Sequence, residues 1–290
     1  MRLRTLWWTF FLLLVAVGGF AWLAASDLDF LAGPNRIGVI EVRGVIGNPQ
    51  ETLKALKEFR KNPKVKAILL RVDSPGGGVG AAQEMYLEFK RTAREKPVVA
   101  SFGGVAASAG YYIASGASRI VANPGTITGS IGVISYFPNL QGLFGKIGYE
   151  MVTVKSGKFK DVGNPGRAMT PEEKELLQET IDEALDQFVK DVAAGRGLQE
   201  DKVRGIADGR IIMGKTAQQL GLVDEIGNFE DAVNAAAMLG KIDGEPDLVY
   251  AKKKRRSLVD LVFGGDVGER VSQYLDGGSS EILRYQLPFF

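Results

Sequence analysis

Residues 66–79 read KAILLRVDSPGGGV. Lys66 to Asp73 is a nearly continuous apolar run of strand length, as expected for a strand covered on both faces. Ser74-Pro75-Gly76-Gly77-Gly78 breaks it, and Gly80 to Arg94 then reads as a helix. A buried strand, a glycine-rich break and a helix together make one unit of α/β architecture. Glycines at a strand end also permit unusual backbone angles and expose N–H groups, the parts of an anion cradle. Phosphate binding is the rival use, but the loop has neither a P-loop Lys-Ser/Thr nor dinucleotide spacing.

The unit repeats outward. On its N-terminal side Arg36 to Ile46 (RIGVIEVRGVI) reads as a strand pair with a Gly turn, and Glu51 to Lys61 as a helix with Leu53, Leu56 and Phe59 on one face. On the other side Pro97 to Phe102 is a strand, Gly103-Gly104 a turn, and Val105 to Ala117 a small-residue helix. Arg119–Ala122 and Thr128–Ser135 are short strands, Asn139–Ile147 a helix and Tyr149–Val154 a strand. Thr170 opens a long helix as N-cap, with Pro171 at the first helical position and Glu172 and Glu173 in the first turn. That helix runs to about Ala194 and stops at Gly195-Arg196-Gly197. Asp208 to Ile212 is a turn and strand, Gly214–Leu220 a helix, and 229–239 an Ala-rich helix. Alternating strands and helices set the fold class as α/β.

Both ends of the chain differ from this core. After Arg2 and Arg4, an uncharged run from Thr5 to Ser26 is long enough to cross a bilayer as a helix. The flanking charges leave residues 1–4 in the cytoplasm and the remainder outside, so the expected location is the cytoplasmic membrane, single-pass. A cleaved signal peptide is the competing reading, with Leu23-Ala24-Ala25-Ser26 a fair cleavage site. Residues 27–35 form a linker, 36–250 the folded domain, and 251–290 a tail. The tail holds a basic block, Lys252 to Arg256, which reads as a solvated edge or as a contact for anionic headgroups. It ends on apolar Leu287-Pro288-Phe289-Phe290, expected to pack on something.

Two absences narrow the chemistry. Among 290 residues there is no Cys and no His. Disulfides, thiolate nucleophiles, Ser-His-Asp triads and His-ligated zinc are therefore excluded. No Asp/Glu cluster is spaced like a metal site, and neither a metal nor a cofactor is expected. The formal net charge of +2 gives no field pointing to nucleic acid.

A hydrolase without His needs a hydroxyl nucleophile, a desolvated lysine and N–H groups for an oxyanion. Ser108, within VAASAGYY (105–112), stands at a helix start after a Gly-rich turn. Its small neighbours would let a peptide backbone approach. Taken alone, such a serine is usually an N-cap. The stretch KSGKFKD (155–161) supplies Lys155, Lys158 and Lys160, ordinarily just solvated charge, and spacing does not choose a base among them.

Six blocks in order together resemble signal peptide peptidase A in its short single-repeat form: DSPGGGV at 73–79, AASAGYYIAS at 106–115, TGSIGV at 128–133, KSGKFKD at 155–161, MTPEE at 169–173 and ADGRIIMGKTAQQLGLVDEIG at 207–227. The resemblance spans about residues 35–245. It implies a Clp protease/crotonase-like fold of stacked sheets with flanking helices, and a Ser-Lys dyad. By match, Ser108 is the nucleophile, Lys160 the base and Ser130 the serine that orients the lysine. Gly77 and Ala109 match the oxyanion-hole donors, although many relatives carry Gly at the position of Ala109. The implied substrates are remnant signal peptides or other apolar peptides, bound by strand addition beside Gly77. A homo-oligomeric ring, an octamer, is also implied, in which the dyad forms either within one copy or between Lys160 and the Ser108 of an adjacent copy. Asp161 is expected to point away from Lys160. Rival readings are a membrane-protein quality-control protease, a catalytically silent scaffold ring and a crotonase-type acyl-CoA enzyme.

Overall fold

The computed structural model describes residues 35–251 and the backbone of 284–286. The anchor expected over Thr5–Ser26, the basic block and the last four residues lie outside the described residues. Among the described residues no helix is long and apolar enough to cross a membrane.

The elements follow in chain order as β1 (Arg36–Arg43), α1 (Gln50–Lys61), β2 (Val65–Ser74), β3 (Gly76–Gly78), α2 (Val79–Ala93), β4 (Val98–Ala107), α3 (Ala109–Ser115), β5 (Arg119–Ala122) and β6 (Ile127–Gly129). Then come α4 (Gln141–Ile147), α5 (Pro171–Arg196), α6 (Glu200–Arg204), β7 (Ile211–Met213), α7 (Gly214–Leu220), β8 (Glu225–Ile226), α8 (Phe229–Leu239), β9 (Asp247–Tyr250) and β10 (Arg284–Gln286).

Eight strands form one mixed sheet in the order β7-β6-β4-β2-β1-β9, with β5 joined to β4 and β8 joined to β5. Every pair in it is parallel except β6 with β7. A separate two-stranded sheet pairs β10 with β3. The described residues thus form one large sheet and one small one.

The apolar run in β2 explains why this sheet is covered on both sides. Its side chains alternate across the sheet. Ile68, Leu70 and Val72 enter one buried cluster, with Phe59 of α1, Tyr86 and Phe89 of α2, and Phe188 and Val192 of α5. Ala67 and Leu69 enter the other, beneath Ala232 and Ala236 of α8. Each fully buried Leu or Ile in these layers contributes about 1.5–3 kcal/mol by leaving water.

Three local expectations change. The stretch 36–46 holds one strand, Arg36–Arg43, not a pair, and Ile46 beyond it bridges to Gly77. Gly103-Gly104 does not end its strand; β4 runs on to Ala107. Between Val72↔Phe102 and Ser74↔Ala106 the chain advances two residues on β2 and four on β4, so the glycines form a bulge. A side chain at Gly103 would meet Asp73 Cγ at 2.9 Å, while Asp73 Oδ1 accepts the Val105 N–H at 3.0 Å. The helix therefore begins four residues later than expected, after Ser108.

The third change concerns 149–154, which pairs with no strand among the described residues. Val152 is 79% and Val154 95% exposed. Its β-favouring side chains have no ladder partner among the described residues.

Candidate active site

Ser108 sits where β4 ends and α3 begins. Its φ of 53° and ψ of −116° lie where L-residues are strained, at a cost of about 1–3 kcal/mol. Among the described residues only Ser108, Ser130 and Lys241 combine a side chain with positive φ. The turn is held from both sides: Ser108 N–H donates to Gly129 O at 2.8 Å, and Tyr112 N–H donates to Ser108 O at 2.8 Å. The side chain caps nothing, unlike an ordinary N-cap serine. Its Oγ is buried and has no hydrogen-bond partner among the described residues.

Rigid surroundings keep that strain in place. All seven residues of α3 are buried. Tyr111 donates its hydroxyl to Leu222 O at 2.9 Å, and Tyr112 donates to the Asp191 carboxylate. Tyr112 also stacks on Tyr86 with ring centroids 5.0 Å apart. Burial pushes both the Tyr111 and Tyr86 hydroxyls well above the usual phenol range, so they remain donors.

The Gly77 loop lies against the same turn. Ile46 N–H donates to Gly76 O and Gly78 N–H to Ile46 O, both at 2.8 Å, bracketing Gly77. A Cβ on Gly77 would stand 2.0 Å from Ile46 O, so only glycine fits. A Cβ on Gly110 would lie 3.0 Å from Ser74 O, which shows how closely the loop packs on the first turn of α3. That first turn carries the Ala109 N–H, one of the donors a helix leaves unpaired.

The strand edge beside Gly77 is occupied. β10 pairs antiparallel with β3, with Tyr285 opposite Gly77, Arg284 opposite Gly78 and Gln286 opposite Gly76. The chain's own tail thus takes the kind of place expected for a peptide. The packing expected of the last four residues lies outside the described residues.

Ser130 follows Gly129, the residue that accepts the Ser108 amide. Its φ is 49°, and its N–H donates to Arg210 O at 2.8 Å. Ser108, Ser130, Gly77 and Ala109 therefore belong to strand ends and turns that adjoin one another.

Lys160 does not join them by a hydrogen bond within the chain. It is exposed, on a turn where its N–H donates to Gly157 O at 3.1 Å. The neighbouring lysines are engaged: Lys155 binds the Asp161 carboxylate, and Lys158 pairs with Glu172 at 3.2 Å. Among the described residues the Lys160 amine has no such partner. The Asp161 carboxylate faces Lys155 and Arg167, which hold it well below the usual carboxylate range, the Arg167 bond contributing most. Arg167, which sequence reading passed over, also bonds Glu173. Only its position between the lysine cluster and the helix start could have drawn attention to it.

Residues 90–243 match peptidase family S49. A protein of Synechocystis sp. named as a protease is 46% identical over 233 residues, covering 80% of this chain and 84% of that protein. A protein of Enterococcus faecium that carries the name signal peptide peptidase SppA is 41% identical over 189 residues, covering 65% of this chain and 55% of the other. Among solved structures, that of a membrane-bound stomatin-specific protease aligns with a TM-score of 0.50 at 16% identity, over 77% of this chain and 100% of that one, a likeness of fold. The chain belongs to peptidase family S49, and the strained Ser108 turn falls inside the matched stretch.

Proposed function

We propose that this protein is a membrane-anchored serine endopeptidase that hydrolyses apolar peptides outside the cytoplasm, remnant signal peptides among them, with Ser108 as nucleophile and Lys160 as general base. The observation that carries the reading is the buried, strained, unpartnered hydroxyl of Ser108, set between the Gly77 loop and Ser130. A strained strand-to-helix turn is how a fold exposes a nucleophile to substrate while holding it still.

In this mechanism the Lys160 amine removes the Ser108 proton as Oγ attacks the peptide carbonyl. The oxyanion is received by the N–H groups of Gly77 and Ala109. The protonated lysine then gives its proton to the leaving amine, and water hydrolyses the acyl-enzyme. Ser130 orients the amine without adding charge. Of the three clustered lysines, Lys155 and Lys158 sit in ion pairs, whereas Lys160 has no such partner among the described residues.

The base comes from an adjacent copy. Among the described residues Ser108 Oγ has no partner, and the segment leading to Lys160 exposes Leu143, Ile147, Val152 and Val154. Covering those side chains with a second copy would bury apolar surface and desolvate the amine together. Repeated around a ring, this would give one site per interface.

Substrate would add as a strand to β3, where β10 now lies. The test is an active-site serine phosphonate, with the adduct mapped by peptide mass spectrometry. A single adduct on Ser108, absent from Ser108→Ala together with turnover of an apolar peptide ester, is expected. An adduct on another residue, or full turnover by Ser108→Ala, would refute the assignment.

A further inference from the structure

Residues 145–160 are exposed throughout, so burial does not hold the backbone at Lys160. A set of charged bonds just beyond it does. Arg167 Nε donates to Asp161 Oδ2 at 3.0 Å, and its Nη2 donates to Asp161 O at 3.2 Å. The residue after Lys160 is thereby gripped by side chain and main chain together. The other side of the guanidinium faces Glu173: Nη1 donates to Oε2 at 2.8 Å, and Nη2 to Oε1.

Glu173 is the anchor of this set. It is 3% exposed and lies in the first turn of α5, where its Oε2 also accepts the Thr170 N–H at 2.9 Å. Further along, α5 is fixed in the core by Phe188, Val189 and Val192. Arg167 therefore joins a solvent-exposed turn to a helix packed into the core. Only a planar guanidinium can span two carboxylates and a carbonyl in this way.

The arrangement has a second effect. Asp161 is covalently next to Lys160, and a carboxylate free to reach that amine would hold it charged. Here both Asp161 oxygens are taken, by Lys155 and Arg167. We propose that Arg167 is a positioning residue for the Lys160 base: it fixes the backbone beside the lysine and keeps the Asp161 carboxylate from pairing with its amine. This rests on the reading of Lys160 as the base.

The test is steady-state turnover of an apolar peptide ester by the full chain carrying Arg167→Lys, Arg167→Ala, or Arg167→Lys with Asp161→Asn, beside Lys160→Ala. In both single variants kcat should fall about tenfold or more, with KM within about twofold, because a misplaced base slows chemistry rather than binding. Adding Asp161→Asn to Arg167→Lys should recover about threefold or more, since the competing carboxylate is gone. A purely structural arginine would give a deeper loss in the double variant.

Normal kcat in both Arg167 variants, or no recovery in the double, overturns the proposal. So does unfolding of Arg167→Lys at the assay temperature, which would assign the arginine to stability. If Lys160→Ala itself turns over normally, the reading of the base has failed. If Lys160→Ala is inactive while the Arg167 variants are not, only the positioning role has failed.

Discussion

The amide of Ser108 donates to the carbonyl of Gly129 at 2.8 Å, which sets the end of β4 beside the end of β6 and brings Ser130 close to the Ser108 turn. Both serines have positive φ, 53° at Ser108 and 49° at Ser130. The bond from Ser108 ends on Gly129, so the two strained serines are linked through the residue that precedes Ser130. The strain is offset by the buried surroundings of α3.

Gly77 gives the sharpest test of the oxyanion hole. In Gly77→Ala the new Cβ would sit 2.0 Å from Ile46 O, so the loop must shift and its N–H with it. Turnover of an apolar peptide ester should drop about 10²–10³-fold, the usual effect of losing one oxyanion donor. Circular dichroism should remain that of the folded domain. Unchanged kcat would place the oxyanion elsewhere.

On the proposed reading, the tail strand competes with substrate. β10 occupies the edge of β3 that a peptide would use, so deleting residues 282–290 should lower KM for a peptide substrate at least about threefold. A synthetic peptide of the tail sequence should inhibit the truncated protein competitively. No change in KM and no inhibition would mean that β10 does not compete for this edge.

Acid should undo the network around Glu173. Bonds from Arg167, and then from the Thr170 N–H, bring its carboxyl down to about 2 from an ordinary 4.5. Because the folded value is the lower one, the stabilisation is complete above about pH 4.5 and is lost as pH falls toward 2. Thermal unfolding followed across that window should show a steeper fall in Tm for the native chain than for Glu173→Gln. Parallel curves would remove Glu173 from the acid response.

A base supplied by a neighbour makes two inactive variants complementary. Ser108→Ala and Lys160→Ala, each inactive alone, should regain activity when denatured, mixed and refolded together, because some interfaces then join an intact serine to an intact lysine. At most about one quarter of wild-type turnover is expected for random assembly. Co-assembly, checked with differently tagged copies, without activity would place the base within the same chain.

Much of the fold was legible because local signals and tertiary structure agree. Thr170, Pro171 and Glu173 marked the start of α5, and the structure shows a full capping box there, with Gly197 closing the helix. The uninterrupted apolar run of β2 likewise marked a strand covered on both faces. The misses lie where partners decide. Gly103-Gly104 resembles a turn, yet the Asp73 carboxylate and the neighbouring strands carry β4 through it as a bulge. Tyr149–Val154 has β-favouring residues but no strand beside it among the described residues. At the site, the sequence could mark Ser108 and the lysine cluster but not the positive φ of the serine. Nor could it show that two of three lysines are held in ion pairs.

The most direct test compares Lys160→Ala with Lys155→Ala and Lys158→Ala in turnover of an apolar peptide ester. Lys160→Ala should lose about 10³-fold or more in kcat, as loss of an essential base does, while the other two stay within about tenfold of the native chain. Near-normal turnover by Lys160→Ala, with activity lost in one of the others, would contradict the assignment of Lys160 as the base.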